Sequence, residues 1–336
     1  AEAHKIWMAM GSGSVAVVDG EAEAFGHWTP GSVWYDGEPV ALCAITAITT
    51  SRVARRQGLA TALTARALLQ GKEAGHTVAG LGIFDQGFYD RFGFGTASYE
   101  HRFSFDPASL KIEASGSIPV RLSVDDYEEI HALLLRRHRS HGAVTLDPPE
   151  LVKGELLWTE SPFGLGFRAE DGRLTHFVYG MGKGEHGPYT VQWMAYEEPG
   201  QFHELLSLIK GLSDQVASVV MWEPPGIQLQ DFIDRPFRQR TRTTKSVHET
   251  SHRAAAFTQL RILDLEAAMA ARSWMGPEVR FNLSLRDPID AIEPAVSIAG
   301  DYVVSIGAES GVEVGTDSEA PTLQASVNAL TRLWVG

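Results

Sequence analysis

Alternating or continuous apolar runs, separated by glycine-rich turns, divide the chain into an ordered series of strands and helices. SVAVVD at 14–19 and EPVALCAITAITT at 38–50 read as strands, with turn signals such as YDGE between them. VALCAIT is almost continuously apolar or small, which predicts a central strand covered on both faces. From Gly58 the period lengthens: Leu59, Ala60, Leu63 and Ala67 recur at helical spacing, and Gly75 is the predicted stop. HTVAGLGIF at 76–84 is the next strand, FYDRFGFG a short helical turn released by its glycines, and SYEHRFSFD an outer strand. Strand, helix, strand, short helix, strand is the order of an α/β domain.

The pattern restarts near residue 118, where Val120 and Leu122 alternate and Ser123 or Asp125 caps a helix carrying Ile130, Leu133 and Leu134. FGLGFRAE, THFVYGMG and YTVQWMAYE read as strands, QFHELLSLIKGLSDQ as a helix and VASVVMW as another strand. The basic tract RPFRQRTRTTKS at 235–246 reads as a solvated linker into a third unit. There RILDLEAAMAARSW runs from strand to helix on Leu265, Ala268 and Met269, three short strands follow, and ASVNALTRLW is a final helix. The fold class expected is α/β and α+β, in three units at 1–110, 118–240 and 250–336.

Composition narrows the function classes. With 336 residues, 44% of them hydrophobic, the chain is long enough for two or three cores. A formal net charge of -13 argues against a nucleic-acid partner and is compatible with cationic small molecules. Cys43 is the single cysteine, so no internal disulfide forms and a reducing, cytoplasmic setting is expected. No apolar run reaches the roughly eighteen residues of a membrane span, and AEAHKIWMAM lacks the layout of a signal peptide.

The candidate chemistry lies in RRQGLATAL, which opens the first long helix. Unpaired N–H groups at a helix start create positive potential. Gly58 removes a side chain where an anion would approach, Ala60 keeps the next position small, and Arg55 and Arg56 add charged donors. Together they make a diphosphate cradle physically reasonable. Neither a GxxxxGK[ST] loop nor a GxGxxG turn opens this helix.

RRQGLATAL after ALCAITAITT, with FYDRFGFG about thirty residues on, resembles the GCN5-related N-acetyltransferase superfamily, and within it the enhanced intracellular survival (Eis)-like family. The resemblance implies tandem acetyltransferase-like domains with mixed central sheets flanked by helices, plus a C-terminal sterol-carrier-protein-like α+β domain. By it, 1–110 is the catalytic domain, 118–240 a degenerate second copy and 250–336 the sterol-carrier-like domain. It assigns acetyl-CoA to the motif Arg55, Arg56, Gln57, Gly58, Leu59, Ala60 and Thr61, with the pantetheine along Ala47, Ile48 and Thr49. Tyr89 falls on the general acid, with Phe88, Arg91 and Gly93 matching the pattern around it. The acceptor implied is a primary amine of a small polycation, such as an aminoglycoside, and the assembly a homo-oligomer, a hexamer by the family.

In that family the general base is commonly the chain's C-terminal carboxylate. Members extend beyond ALTRLWVG and begin before AEAHKIW, so missing segments are expected and Gly336 is not assigned as the base. Tyrosine keeps its proton to about pH 10, so it can donate to a departing thiolate at neutral pH.

Other residues carry weaker signals. Trp28, Trp34 and Phe84 are candidates for an acceptor channel, although core packing explains each as well. Glu38 and Glu100 are acidic neighbours for an amine. The twelve histidines form no HExxH and no metal cluster, and His76, His101, His138 and His141 read as surface or strand residues. No metal is expected. A noncatalytic small-molecule or lipid-binding protein, or an interaction protein, on the same scaffold is the alternative.

Overall fold

The computed structural model describes residues 2–83, 85–113, 117–238 and 243–336, so that 239–242 of the basic tract lie outside the described residues. Asp19 and Gly20 both take positive φ (51° and 87°), which suits a two-residue hairpin turn. They fold β1 (Ser12–Val18) onto β2 (Glu21–Tyr35). Asp36 and Gly37 do the same (45° and 94°) between β2 and β3 (Glu38–Thr50). A short helix, α1 (Glu2–Ala9), precedes β1; α2 (Leu59–Glu73), β4 (Val78–Gly82), α3 (Gln86–Asp90) and β5 (Gly95–Thr96) follow β3. Next come β6 (Glu100–Phe105), β7 (Val120–Arg121), α4 (Tyr127–Arg136), β8 (Val144–Leu146), α5 (Pro149–Trp158), β9 (Pro162–Arg168), β10 (Leu174–Met181), β11 (Tyr189–Ala195), α6 (Pro199–Gly211), β12 (Val219–Trp222) and β13 (Ser251–Ala255). The chain closes with β14 (Thr258–Ile262), α7 (Leu265–Ala270), β15 (Val279–Arg286), β16 (Gly300–Ile306), β17 (Gly311–Val314), β18 (Thr322–Ser326) and α8 (Val327–Val335). Among the described residues no helix is long and apolar enough to cross a membrane.

These elements group into two compact units. One comprises Met8–Ser98, His141–Pro148 and Ala256–Gly336. Its larger sheet has the order β1-β2-β3-β4-β14-β5, with β8 beside β2. Both faces of this sheet are buried. Cys43, Ile45 and Ala79 pack with Leu68 of α2, while Leu42, Ala44 and Val78 pack with Leu283, Val304 and Trp334. This is the double coverage that the apolar run VALCAIT predicts. A distinct four-stranded C-terminal sheet has the order β17-β16-β15-β18, with β15 and β18 parallel.

The other unit comprises Ala1–Trp7, Tyr99–Ser140 and Pro149–Ala255. Its mixed sheet runs β13-β6-β12-β11-β10-β9-β7. One core joins Phe103, Phe105 and Val219 to Leu205, Leu206 and Ile209 of α6, and another joins Phe177 and Tyr179 to Ile130 and Leu133 of α4. Helices thus flank a mixed sheet here too.

The observed grouping departs from the linear expectation in three places. SYEHRFSFD gives β6, which lies between β13 and β12 in the second sheet instead of at the edge of the first. The C-terminal segment does not stand apart, because β14 pairs with both β4 and β5 in the first sheet. The long strand β2 is absent from the expected elements; Pro30 and Gly31 interrupt its apolar pattern, as a proline and a glycine in a strand interior do. Pro30 is accommodated where the β8 ladder stops at Gly31, and its carbonyl accepts from the Asp147 N–H at 3.0 Å. Alternation reports which face a residue takes; it does not report which sheet the strand joins.

Candidate active site

The turn between β3 and α2 is tied down before it reaches the exposed arginines. Ser51 N–H donates to the Glu23 carbonyl at 2.8 Å, its hydroxyl donates to the Glu23 carboxylate, and Ala54 is buried. Arg55, Arg56, Gln57 and Gly58 are then exposed. Arg56 and Gly58 both take left-handed backbone (φ 63° and 81°). That conformation is costly for any residue with a Cβ, so Gly58 is needed for the turn itself. A Cβ placed there would meet nothing within 4 Å, so the space before the helix is open.

Gly58 caps α2 without a side-chain hydrogen bond, and the first turn holds no acidic residue. The first helical bond runs from Ala62 N–H to the Gly58 carbonyl at 3.0 Å. The amides of Leu59, Ala60 and Thr61 precede it and have no intrahelical acceptor. An open, uncompensated helix start of this kind favours an anion.

Beside it the sheet divides. β3 and β4 run parallel only through Leu42–Val78, Cys43–Ala79 and Ala44–Gly80. Past Ala44, β3 continues to Thr50 while β4 ends at Gly82. On its other side β3 carries a bulge: His27 pairs with Ala47 and Trp28 with Ile45, leaving Thr46 as the extra residue. A bulge bends and twists its strand, which turns the backbone of Ala47, Ile48 and Thr49 away from β4. Among the described residues no strand pairs with that edge of β3. Thr46 Oγ1 lies 2.7 Å from His27 Nδ1. Burial lowers the His27 pKa, opposed by the Met8 backbone, so the ring is held neutral.

Tyr89 sits on α3, whose start is capped by Asp85 Oδ1 accepting from the Phe88 N–H at 3.2 Å. It is 8% exposed and meets Phe88 and Phe94 edge-on, at ring separations of 4.9 and 5.8 Å. Burial, then the Asp85 charge, raises its pKa, so the phenol stays protonated at neutral pH. Two residues on, Arg91 Nη2 donates to Thr61 Oγ1 at 2.7 Å while its guanidinium lies over the Phe88 ring at 4.3 Å. The tyrosine segment is thereby joined to the open start of α2.

The loop after Tyr89 is held by the C-terminal segment. Arg261 and Asp287 form a bidentate pair, at 2.9 and 2.7 Å, with both side chains fully buried. Arg261 also donates to the Phe92 carbonyl, and Asp287 accepts from the Ile289 and Ile298 N–H groups. Gly93 (φ 84°) lies so close that a Cβ would collide with the guanidinium. Asn328 Nδ2 donates to the carbonyls of Asp90 at 2.7 Å and Phe94 at 2.9 Å. Gln259 Nε2 reaches Asp90 Oδ1 at 3.3 Å.

The structure thus gathers Arg91, Thr61 and the RRQGLA turn, and places Tyr89 in one core with Trp28 and Ile45. Trp28 donates to Gln70 Oε1 at 3.2 Å and is a packed core residue. Trp34 lies near the opposite end of β2, roughly 20 Å along the strand from the bulge. Phe84 lies outside the described residues. Glu38 begins β3 at its hairpin end, and Glu100 belongs to the other unit.

His76 bonds the Gly71 carbonyl and packs on Trp28, His101 bonds His252, His138 stacks on Tyr196 and His141 approaches Asp36. Among the described residues no group of three or more His, Cys, Asp or Glu is arranged to hold a metal. Sequence reasoning missed the anchors Gln259, Arg261, Asp287 and Asn328. The sign available was Arg261, a lone charge inside the apolar strand QLRIL.

Comparison with known proteins fits this geometry. Residues 10–97 match the family described as an acetyltransferase (GNAT) domain. An uncharacterized N-acetyltransferase from Streptomyces avermitilis is 26% identical over 325 residues, covering 89% of this chain and 72% of the relative. In fold, the chain is similar to a probable N-acyltransferase of unknown function from Enterococcus faecalis V583, with a TM-score of 0.80 at 16% identity, covering 100% of this chain and 82% of that one. It is also similar to Eis1 from Mycobacterium abscessus, with a TM-score of 0.75 at 18% identity, covering 99% and 82%. The protein is an acyltransferase of the N-acetyltransferase class. Residues 10–97 are similar to a GNAT domain, and the two larger mixed sheets are consistent with tandem GNAT-like domains.

Proposed function

We propose that the protein transfers the acetyl group of acetyl-CoA to a primary amine of a small polycationic acceptor, with Tyr89 as general acid. The observation that carries this reading is the Arg91–Thr61 bond, which links the tyrosine segment to the open, left-handed start of α2. When bound, acetyl-CoA supplies an activated thioester carbonyl. The amides of Leu59, Ala60 and Thr61, with Arg55, Arg56 and Gln57 around Gly58, bind its diphosphate through the helix-start potential. The unpaired edge at Ala47, Ile48 and Thr49 aligns the pantetheine, and its N–H groups are the donors available to the carbonyl oxygen. The neutral amine attacks the thioester carbon, so that the amide C–N bond forms as the C–S bond breaks. The amine's proton goes to solvent water, and Tyr89 Oη gives its proton to the departing CoA sulfur and is reprotonated from water. Direct attack by the amine needs no metal.

The finer assignments rest on the resemblance and on composition. The acceptor is an aminoglycoside or related polyamine, which the charge of -13 suits. Trp28, Trp34 and Phe84 are its weaker candidate contacts. The kinship is Eis-like, with the unit that holds residues 10–97 catalytic, the unit built on Tyr99–Ser140 and Pro149–Ala255 degenerate, and the four-stranded C-terminal sheet sterol-carrier-like. A cytoplasmic homo-oligomer, hexameric by the family, completes the reading.

Following CoA release with a panel of amines, in the native chain and in Tyr89→Phe, tests it. Turnover with polyamines, and a fall in kcat of roughly 10²- to 10⁴-fold in Tyr89→Phe, is the expected result. Unchanged turnover in that variant removes the acid role; absence of CoA release with every amine removes the reaction.

A further inference from the structure

Three carbonyls on the chain following Tyr89 are bound by side chains from the C-terminal segment, and none of the donors lies within the GNAT-matching residues 10–97. Asn328 holds the Asp90 and Phe94 carbonyls, and Arg261 holds that of Phe92. The acceptors alternate along the chain, so the loop is fixed at every second residue. α3 has only five residues, too few to hold its own orientation by helical bonding. The Asp90 carbonyl that ends it also accepts from the Gly93 N–H at 3.1 Å; Asn328 adds a second donor there and one to the loop beyond, tying the two ends of the turn to one side chain.

We infer that Asn328 is a positioning residue for the acetyl-transfer step: by bridging the Asp90 and Phe94 carbonyls it fixes α3, and so the Tyr89 phenol, in the donating orientation. This rests on the acid role of Tyr89 proposed above. Arg261, locked by Asp287, sets the turn at Phe92–Gly93 but is fully buried, so its loss unfolds as well as misplaces. Asn328 differs. It opens α8 beside a groove of about 510 Å³ that Asp90, Phe94 and Arg332 also line. Truncating it leaves no sealed cavity, and Ser326 still caps the helix through the Ala329 N–H at 3.3 Å.

A misplacement near 1 Å is enough to cost up to about a hundredfold in rate. Asn328→Ala is therefore expected to lower kcat roughly ten- to a hundredfold, with the KM for acetyl-CoA little changed. The alkaline limb of its kcat profile should move to lower pH, because a looser α3 lets water reach a phenol whose pKa burial and the Asp85 charge hold up.

The decisive measurement is the cycle formed with Tyr89→Phe. If Asn328 acts through the phenol, Asn328→Ala costs almost nothing once that phenol is gone. An equal loss in both backgrounds overturns the inference while leaving the acid role standing, as does a single Asn328→Ala variant with native kcat. Native turnover in Tyr89→Phe alone instead overturns the acid role and, with it, this inference. Should the alanine variant unfold, Asn328→Ser, which keeps one short donor, is put through the same cycle with the same readings.

Discussion

Arg91 donates to the hydroxyl of Thr61 at 2.7 Å across thirty residues of sequence, and so fixes the distance between the loop bearing Tyr89 and the first turn of α2. The guanidinium is steadied by the Phe88 ring beneath it. Arg91→Ala is expected to lower kcat/KM about tenfold or more, whereas Thr61→Val, which removes only the acceptor, should reproduce most of that loss. Steady-state kinetics of the two variants and their double variant decide it. Additive losses would show that the bond is not what joins the two segments.

The start of α2 offers a test in which stability and binding move oppositely. Ala60→Asp adds a carboxylate to a first turn that has none. Such a charge stabilises a helix start by about 0.3–1 kcal/mol and repels a diphosphate. The melting temperature should hold or rise while CoA affinity falls at least about tenfold. Calorimetry with CoA and thermal melting on one preparation give both numbers.

Breaking the buried pair should be costly. Asp287→Ala leaves Arg261 buried with an uncompensated charge, and the Ile289 and Ile298 amides lose their acceptor. A loss of about 3–5 kcal/mol is expected, seen as a lower denaturation midpoint in urea. A loss under about 1 kcal/mol would mean that the pair is not a determinant of stability.

Alkali should destabilise the fold through its buried phenols. Tyr35 and Tyr196 are pushed up to about 12, mainly by burial, with Arg272 opposing the shift at Tyr35. For a group raised in the folded state, stability is fully present below the unfolded value, about 10 for tyrosine. It is lost as pH rises from there through the folded value near 12. Among the described residues the Tyr196 hydroxyl is buried without a hydrogen-bond partner, so Tyr196→Phe should be neutral or stabilising at about pH 7 and should flatten the decline between about pH 10 and the folded value. Urea titrations across that range measure the slope.

Local chemistry was legible in the sequence where it depends on neighbours along the chain. Gly58 marks the helix entry, VALCAIT the doubly covered strand, and FYDRFGFG the short helix released by its glycines, while the left-handed backbone at Gly58 and Gly93 is seen only in the fold. What depends on distant partners was not. β2 was hidden by Pro30 and Gly31, because only pairing with β1 and β3 makes a strand of that stretch. The bulge at Thr46 depends on register, which hydrophobicity does not encode. Asn328 reads as an ordinary helix residue until the Asp90 and Phe94 carbonyls are placed beside it.

The insertion of β14 between β4 and β5 has a consequence for biosynthesis. A ribosome that has emitted residues through Ala97 has supplied every element matched to the acetyltransferase family, yet β4 still exposes a naked hydrogen-bonding edge. That edge waits for Thr258–Ile262, which emerges only after the second unit has been made. The unit that holds the acetyltransferase match is thus an early-begun and late-finished structure. A nascent chain released before this closing strand would present a template for aggregation rather than a smaller enzyme.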